Sequence, residues 1–206
     1  MNVLFLSLGK YSSINERGIY TDLLREFIKH KHNVYIVSPI ERRDKKTSCL
    51  TKENNCTILR VKTGNIQKTN FIEKGINTLL IENRFLRAIK KYFNNVKFDL
   101  ILYPTPPITF VGVIDYIKKR DGAKSYLLLK DIFPQNAVDL GIMKKTGLLG
   151  LMYKYFRAKE KKLYSLSDHI GCMSQANVDY LISHNPDIDP DIVEVCPNSI
   201  EPIDKS

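Results

Sequence analysis

The chain has 206 residues, of which 43% are hydrophobic and 26% charged. These are the proportions of an ordinary folded domain, and they exclude disordered and fibrous classes. Lys and Arg outnumber Asp and Glu by 32 to 22, giving a formal charge of +10. That excess suits an anionic partner, whether nucleic acid, a membrane surface or phosphorylated small molecules; a chain rich in Lys, Asn and Ile through codon bias carries it equally.

In chain order, residues 3–6 form a short apolar run that ends at Leu8-Gly9, and 10–17 are a polar loop. Gly18 opens a helix with Ile19, Leu23, Leu24, Phe27 and Ile28 on one stripe. Residues 33–37 are the next strand, closed by Ser38-Pro39. The polar, basic stretch 41–56 reads as a long loop, and 56–61 alternate as a third strand. Residues 71–93 keep a helical period through Phe71, Ile72, Ile76, Leu79, Leu80, Phe85, Leu86, Ile89 and Phe93. Strands at 100–103, 125–129, 169–173 and 192–196 then alternate with helices at 109–119, 147–165 and 175–183. Such alternation argues for right-handed βαβ crossovers and one mostly parallel sheet, with helices on both faces. The expected fold is α/β: a Rossmann-like, doubly wound single domain over 1–206. No internal repeat and no Gly-, Ser- or Pro-rich linker divides it.

The opening MNVLFLSLGK has no basic n-region and no small-residue cleavage site, so it reads as a strand and not as a signal peptide. The longest uncharged run, 100–114, is shorter than the ~20 residues of a membrane span and is broken by prolines. Cys49, Cys56, Cys172 and Cys196 form no CxxC pair, and His30, His32, His169 and His184 form no HExxH or HxH. The cysteines read as reduced thiols in a cytosolic protein, and a metal site is not expected.

In a parallel sheet, ligands bind beyond the carboxyl ends of the strands. That singles out the loops 8–17, 103–108, 130–138, 174–176 and 197–201. The first carries neither GxGxxG nor a Walker A pattern, which disfavours a conventional dinucleotide or ATP site. Gly18 stands where that loop enters a helix. The free N–H groups there can hold a phosphate, or Gly18 simply makes a tight turn. In YLLLKDIFPQNAVDLGI an apolar strand stops at Lys130-Asp131, which places Asp131 in the ligand crevice. Its carboxylate either meets ligand there or only orders the loop. The segment 144–162, KKTGLLGLMYKYFRAKEKK, is basic and carries more apolar and aromatic surface than one core stripe needs. It suits a negatively charged membrane, or is a helix with a solvated Lys face. There is no GxSxG, no Cys–His pair at a family spacing, no close carboxylate pair and no nucleic-acid motif.

The stretch TPPITFVGVIDYIKKRDGAKSYLLLKDIFPQNAVDLGIM resembles the N-terminal half of retaining glycosyltransferases of family 4. It is closest in character to the bacterial enzymes that build capsule, exopolysaccharide or O-antigen on a lipid carrier. Asp131, Ile132, Phe133, Pro134, Ala137, Val138, Leu140 and Gly141 follow the family's Asp–apolar–aromatic–Pro and Ala-Val-x-Leu-Gly run. GIYTDLLREFIKHKHNVYIVSP is similar to its first βαβ unit, LYSLSDHIGCMSQANVDYLI to its Ala-Asp–strand–Ser segment, and VEVCPNSIEP to its Pro-Asn-Gly-Val-Asp turn. The chain departs from the family at Asn198-Ser199, where Asn-Gly is usual, and in the first loop, where two glycines are frequent and only Gly18 is clear.

The resemblance implies one half of a GT-B fold. The second domain, which binds the nucleotide sugar and carries a Glu-x7-Glu motif, has no counterpart up to Ser206. The expectation is therefore an acceptor-side domain, inactive without a donor domain. It implies Asp131 beside the transferred sugar, with Gly18, Arg17 and Lys130 near the donor phosphates. It also implies a nucleotide sugar as co-substrate, no metal requirement, and a lipid-linked acceptor. Lys154, Tyr155 and Arg157 are the expected contacts to acceptor and anionic membrane, placing the protein at the cytoplasmic face of the cell membrane with no nucleic-acid partner. Two alternatives stand beside it: a non-catalytic, membrane-recruiting subunit of a split glycosyltransferase, and a nucleotide- or nucleic-acid-binding Rossmann module.

Overall fold

The computed structural model describes residues 1–66 and 71–202, except the side chains of 71–76 and 148. Phe71, Ile72 and Ile76 of the expected helical stripe, and the Leu148 side chain, therefore lie outside the described residues. Eight strands make one sheet: β1 (Asn2–Leu6), β2 (Asn33–Glu41), β3 (Cys49–Glu53), β4 (Cys56–Thr63), β5 (Leu100–Pro104), β6 (Lys124–Leu129), β7 (His169–Cys172) and β8 (Val193–Val195). Their order is β3-β4-β2-β1-β5-β6-β7-β8. Every pairing is parallel except β3 with β4.

The helices are α1 (Ile19–Lys29), α2 (Phe71–Tyr92), α3 (Val111–Asp121), the short α4 (Gln135–Asp139), α5 (Gly147–Leu166) and α6 (Gln175–His184). Side chains alternate across the sheet and divide the core in two. Leu4 and Leu6 join Phe85, Phe110, Ile114, Leu163 and Leu181, so α2, α3, α5 and α6 cover one face. Val3, Phe5, Ile36 and Ile58 join Leu24 of α1 on the other. On the first face Phe85 stacks on Phe110 with centroids 5.2 Å apart. The helix α3 ends where Gly122, at φ 71°, takes the left-handed conformation and donates its N–H to Lys118 O.

The expected long loop over 41–56 is corrected. β2 runs on to Glu41, and Cys49–Glu53 returns as an antiparallel edge strand against β4. Asn54 makes this tight return with φ 47°, a conformation Asn tolerates better than most residues. The strand is polar because it has only one neighbour, and charged side chains keep such edges from pairing with other chains.

Strand order reverses between β1 and β5, since β2 lies on one side of β1 and β5 on the other. Such a switch point opens a crevice at the carboxyl ends of the strands. It is walled by the loops after β1, β5 and β6.

Candidate active-site crevice

The loop after β1 is tied by Ser7, whose Oγ accepts the Gly9 N–H at 3.0 Å and lies 3.3 Å from the Tyr11 hydroxyl. At Gly9 a Cβ would come within 2.7 Å of the Tyr11 hydroxyl oxygen. A glycine there lets Tyr11 fold back beneath the loop, where its ring meets Phe5 edge-on at 6.0 Å.

Gly18 precedes α1 with φ 170°, an extended conformation open to any residue, and an added Cβ would meet only Thr21 Oγ1 at 3.4 Å. The tight-turn explanation for this glycine therefore finds no backbone requirement. Its N–H donates to Asp22 Oδ1 at 3.2 Å, so a carboxylate of the chain already stands at this helix end. The first-turn N–H groups of Ile19, Tyr20 and Thr21 have no acceptor within the helix.

Opposite, Asp131 follows β6 and is exposed. Its backbone is held by Thr105, a buried residue at the end of β5. The Thr105 hydroxyl donates to Asp131 O at 3.2 Å and accepts the Lys130 N–H at 3.2 Å. Tyr20 connects the two walls. Its ring packs on Phe5 at 5.3 Å. Burial, followed by the neighbouring Tyr11 and the Asp131 carboxylate, pushes its phenol up to about 12. Phe5 thus gathers Tyr11 and Tyr20 at this end of the sheet, with the Asp131 carboxylate within electrostatic reach of Tyr20.

The remaining expected residues are placed elsewhere. Lys130 turns its ammonium to Cys196 O at 3.1 Å, tying β6 to the segment after β8, and burial draws its pKa down. Arg17 donates to Glu201 O at 2.6 Å. Glu201 is anchored by every polar group it has. Its N–H donates to Asp22 Oδ2 at 2.9 Å, and its carboxylate meets Arg25 and Lys29, each at 3.1 Å. On α5, Lys154 and Tyr155 are exposed, but Arg157 turns inward. Its guanidinium pairs with the buried Glu160 and donates to His184 O at 3.0 Å and Asn185 Oδ1 at 2.6 Å. Arg157 is thus a bracket between α5 and α6, its guanidinium paired within the domain.

Tyr11, Tyr20, Thr105 and Gly9 escape a motif search. Their one sequence signal is position, each falling in or beside a loop at a strand's carboxyl end.

Residues 19–203 match the family model for Glycosyltransferase Family 4. The chain belongs to glycosyltransferase family 4. No curated protein matches its sequence. Among solved structures it is similar to the trehalose-6-phosphate synthase OtsA, with TM-score 0.62 and 9% identity over 98% of this chain and 50% of that one. It is also similar to the α,α-trehalose 6-phosphate synthase of Burkholderia multivorans, with TM-score 0.53 and 7% identity over 89% and 42%. A UGT transferase from Siraitia grosvenorii in complex with UDP matches with TM-score 0.54 and 8% identity over 100% and 52%. At these identities the likeness is one of fold: the sheet and its helices match one domain of GT-B glycosyltransferases. The family 4 chain described here spans about half the length of each of these structures.

Proposed function

We propose that this domain is the acceptor-binding half of a retaining glycosyltransferase. The transferase would move a sugar from a nucleotide sugar to a lipid-linked acceptor in bacterial cell-surface polysaccharide synthesis, of the capsule or exopolysaccharide type. The observation that supports the reading is Asp131, exposed at the carboxyl end of β6 in a family 4 domain, with its backbone held by Thr105 and its carboxylate within electrostatic reach of Tyr20 in the first turn of α1. A carboxylate in that place is suited to stabilise positive charge developing on a sugar as its bond to the leaving group breaks. The free N–H groups of α1 favour the negative charge on the departing diphosphate.

Donor binding falls to a second domain, in the same polypeptide or in a partner subunit. The purified 206-residue chain, given radiolabelled nucleotide sugars and bacterial lipid extract, is expected to leave the lipid fraction unlabelled. Transfer of label by this chain alone contradicts the assignment of the donor site to another domain.

The acceptor's lipid places the domain at the inner face of the membrane. Leu140, Ile142 and Leu151 are 72%, 64% and 63% exposed, and Met152 and Tyr155 lie beside them in sequence. Lys144, Lys145 and Lys154 are exposed among them. Apolar side chains interleaved with lysines suit an interface of acyl chains and anionic headgroups.

A further inference from the structure

A second concave surface lies away from the centre of the crevice. Where α4, α5 and α6 meet, a groove of about 340 Å3 opens at the protein surface. That volume is at the lower end of the range for small-molecule sites, roughly 300–1,000 Å3.

The groove is polar but electrically balanced. The cations Lys145 and Arg157 line it together with the carboxylates Asp139 and Glu160. Arg157 is spent on Glu160, His184 and Asn185, and Lys145 stands 5.5 Å from the centroid of the Tyr153 ring. A phosphate would find no set of converging unpaired cations here, and a purely apolar ligand would strand the polar wall.

What the groove offers instead is a flat aromatic face with planar polar groups around it. The rings of Tyr180 and His184 stack at 3.9 Å with only 15° between their planes. Tyr153 supplies a second aromatic wall. Gln135, which donates to the exposed Asp139 at 2.6 Å, adds an amide and a carboxylate at the α4 rim, while the buried Asn185 amide is held by Leu181 O and Arg157. Such a combination recognises a pyranose. The ring's C–H face packs on an aromatic plane, while its hydroxyls, each donor and acceptor, pair with amides and carboxylates. The groove also has a position relative to the crevice, because Ile132, the residue directly after Asp131, lines it.

We propose that the groove between α4, α5 and α6 is a glycan subsite. It holds sugar units of the acceptor that lie next to the unit being extended at Asp131, so the acceptor is an oligosaccharide and not a single sugar. The assignment of that glycan as acceptor rests on the transferase reading above. Glycan binding in the groove does not.

The test uses the 206-residue chain on an array of immobilised glycans running from monosaccharides to hexasaccharides. It is followed by amide chemical-shift titration with the best-bound soluble oligosaccharide. Binding is expected to rise with chain length, and the shifts to centre on residues 132–139, 153–160 and 180–185. Tyr180→Ala on α6 and Tyr153→Ala on α5 are each expected to weaken binding at least about tenfold, near the upper end of what a single ring contact contributes. Lys52→Ala, on the far edge strand, is expected to leave binding unchanged. Circular dichroism identifies a variant that has lost its fold, and the other wall then carries the test. Binding no tighter for oligosaccharides than for monosaccharides overturns the proposal, as do shifts outside the groove or binding indifferent to both tyrosines. Glycan binding at the groove in a protein whose intact enzyme transfers no sugar leaves the subsite standing and removes the transferase reading.

Discussion

At the scale of single residues, the crevice owes its shape to short polar side chains that were not conspicuous in the sequence. Thr105 fixes the backbone of Asp131 with one hydroxyl, and Ser7 performs the same service for the loop at Gly9. Asp168 is the structural counterpart at the opposite end of the sheet. Its carboxylate accepts from Lys118 at 2.6 Å, from the Ser125 N–H and hydroxyl at 2.9 Å, and from Lys124 at 3.2 Å. Burial works to raise its pKa, but these bonds from Lys118, Ser125 and Lys124 outweigh it and hold the carboxyl well below the usual carboxylate range. A group depressed in this way stabilises the fold above its unfolded pKa of about 3.9, and the contribution is lost as pH falls toward the folded value. Asp168→Asn is therefore expected to cost about 1–3 kcal/mol at neutral pH. It should also flatten the loss of stability below about pH 4, read by chemical denaturation across a pH series. A variant as acid-sensitive as the parent contradicts this role. The position of Asp131 just beyond β6 was legible because an apolar strand ends abruptly at a charged pair. The pairing of Arg157 was not legible, because sequence spacing shows that a cation lies on a helix, but not that a buried Glu160 one turn on draws it inward.

At the scale of elements, the strands buried on both faces were legible from their unbroken apolar runs, and the helices from their period. The edge strand β3 was not. Its neighbour lies on one side only, so its residues carry Lys52 and Glu53 in place of a continuous apolar run. The attachment of residues 197–202 to α1 was also hidden, because it joins positions far apart in the chain. Glu201 meets Asp22, Arg25, Lys29 and the Arg17 guanidinium, all in or just before α1. That latch fixes the segment leaving β8 against the helix whose first turn walls the crevice. Glu201→Ala is expected to raise amide exchange at residues 198–201 and in the first turn of α1, while exchange in β1 and β5 stays slow. Unchanged exchange at both segments contradicts the latch.

At the scale of the molecule, among the described residues α1 packs on one face of the sheet while α2, α3, α5 and α6 share the other, and no described helix is long and apolar enough to cross a membrane. On the proposed function, contact with a bilayer would be made by the surface around α5. Binding to liposomes is expected to strengthen with anionic lipid and to weaken between about 0.15 and 0.5 M salt, as the screening length shortens. The paired change Leu151→Ser with Lys154→Glu should weaken it further. Binding indifferent to lipid charge and salt assigns these lysines to plain solvation. The central claim is that the Asp131 crevice serves sugar transfer. It is tested most directly by capturing the native enzyme from its source cells with an antibody against this domain. Transfer of radiolabelled sugar from nucleotide sugars to the cells' own lipid extract is then measured, with and without a chromosomal Asp131→Asn change. The account predicts transfer by the native enzyme and a fall of about 100-fold or more in the variant, the scale of losing one electrostatic contact to the transition state. Equal transfer by both, at equal protein, contradicts it.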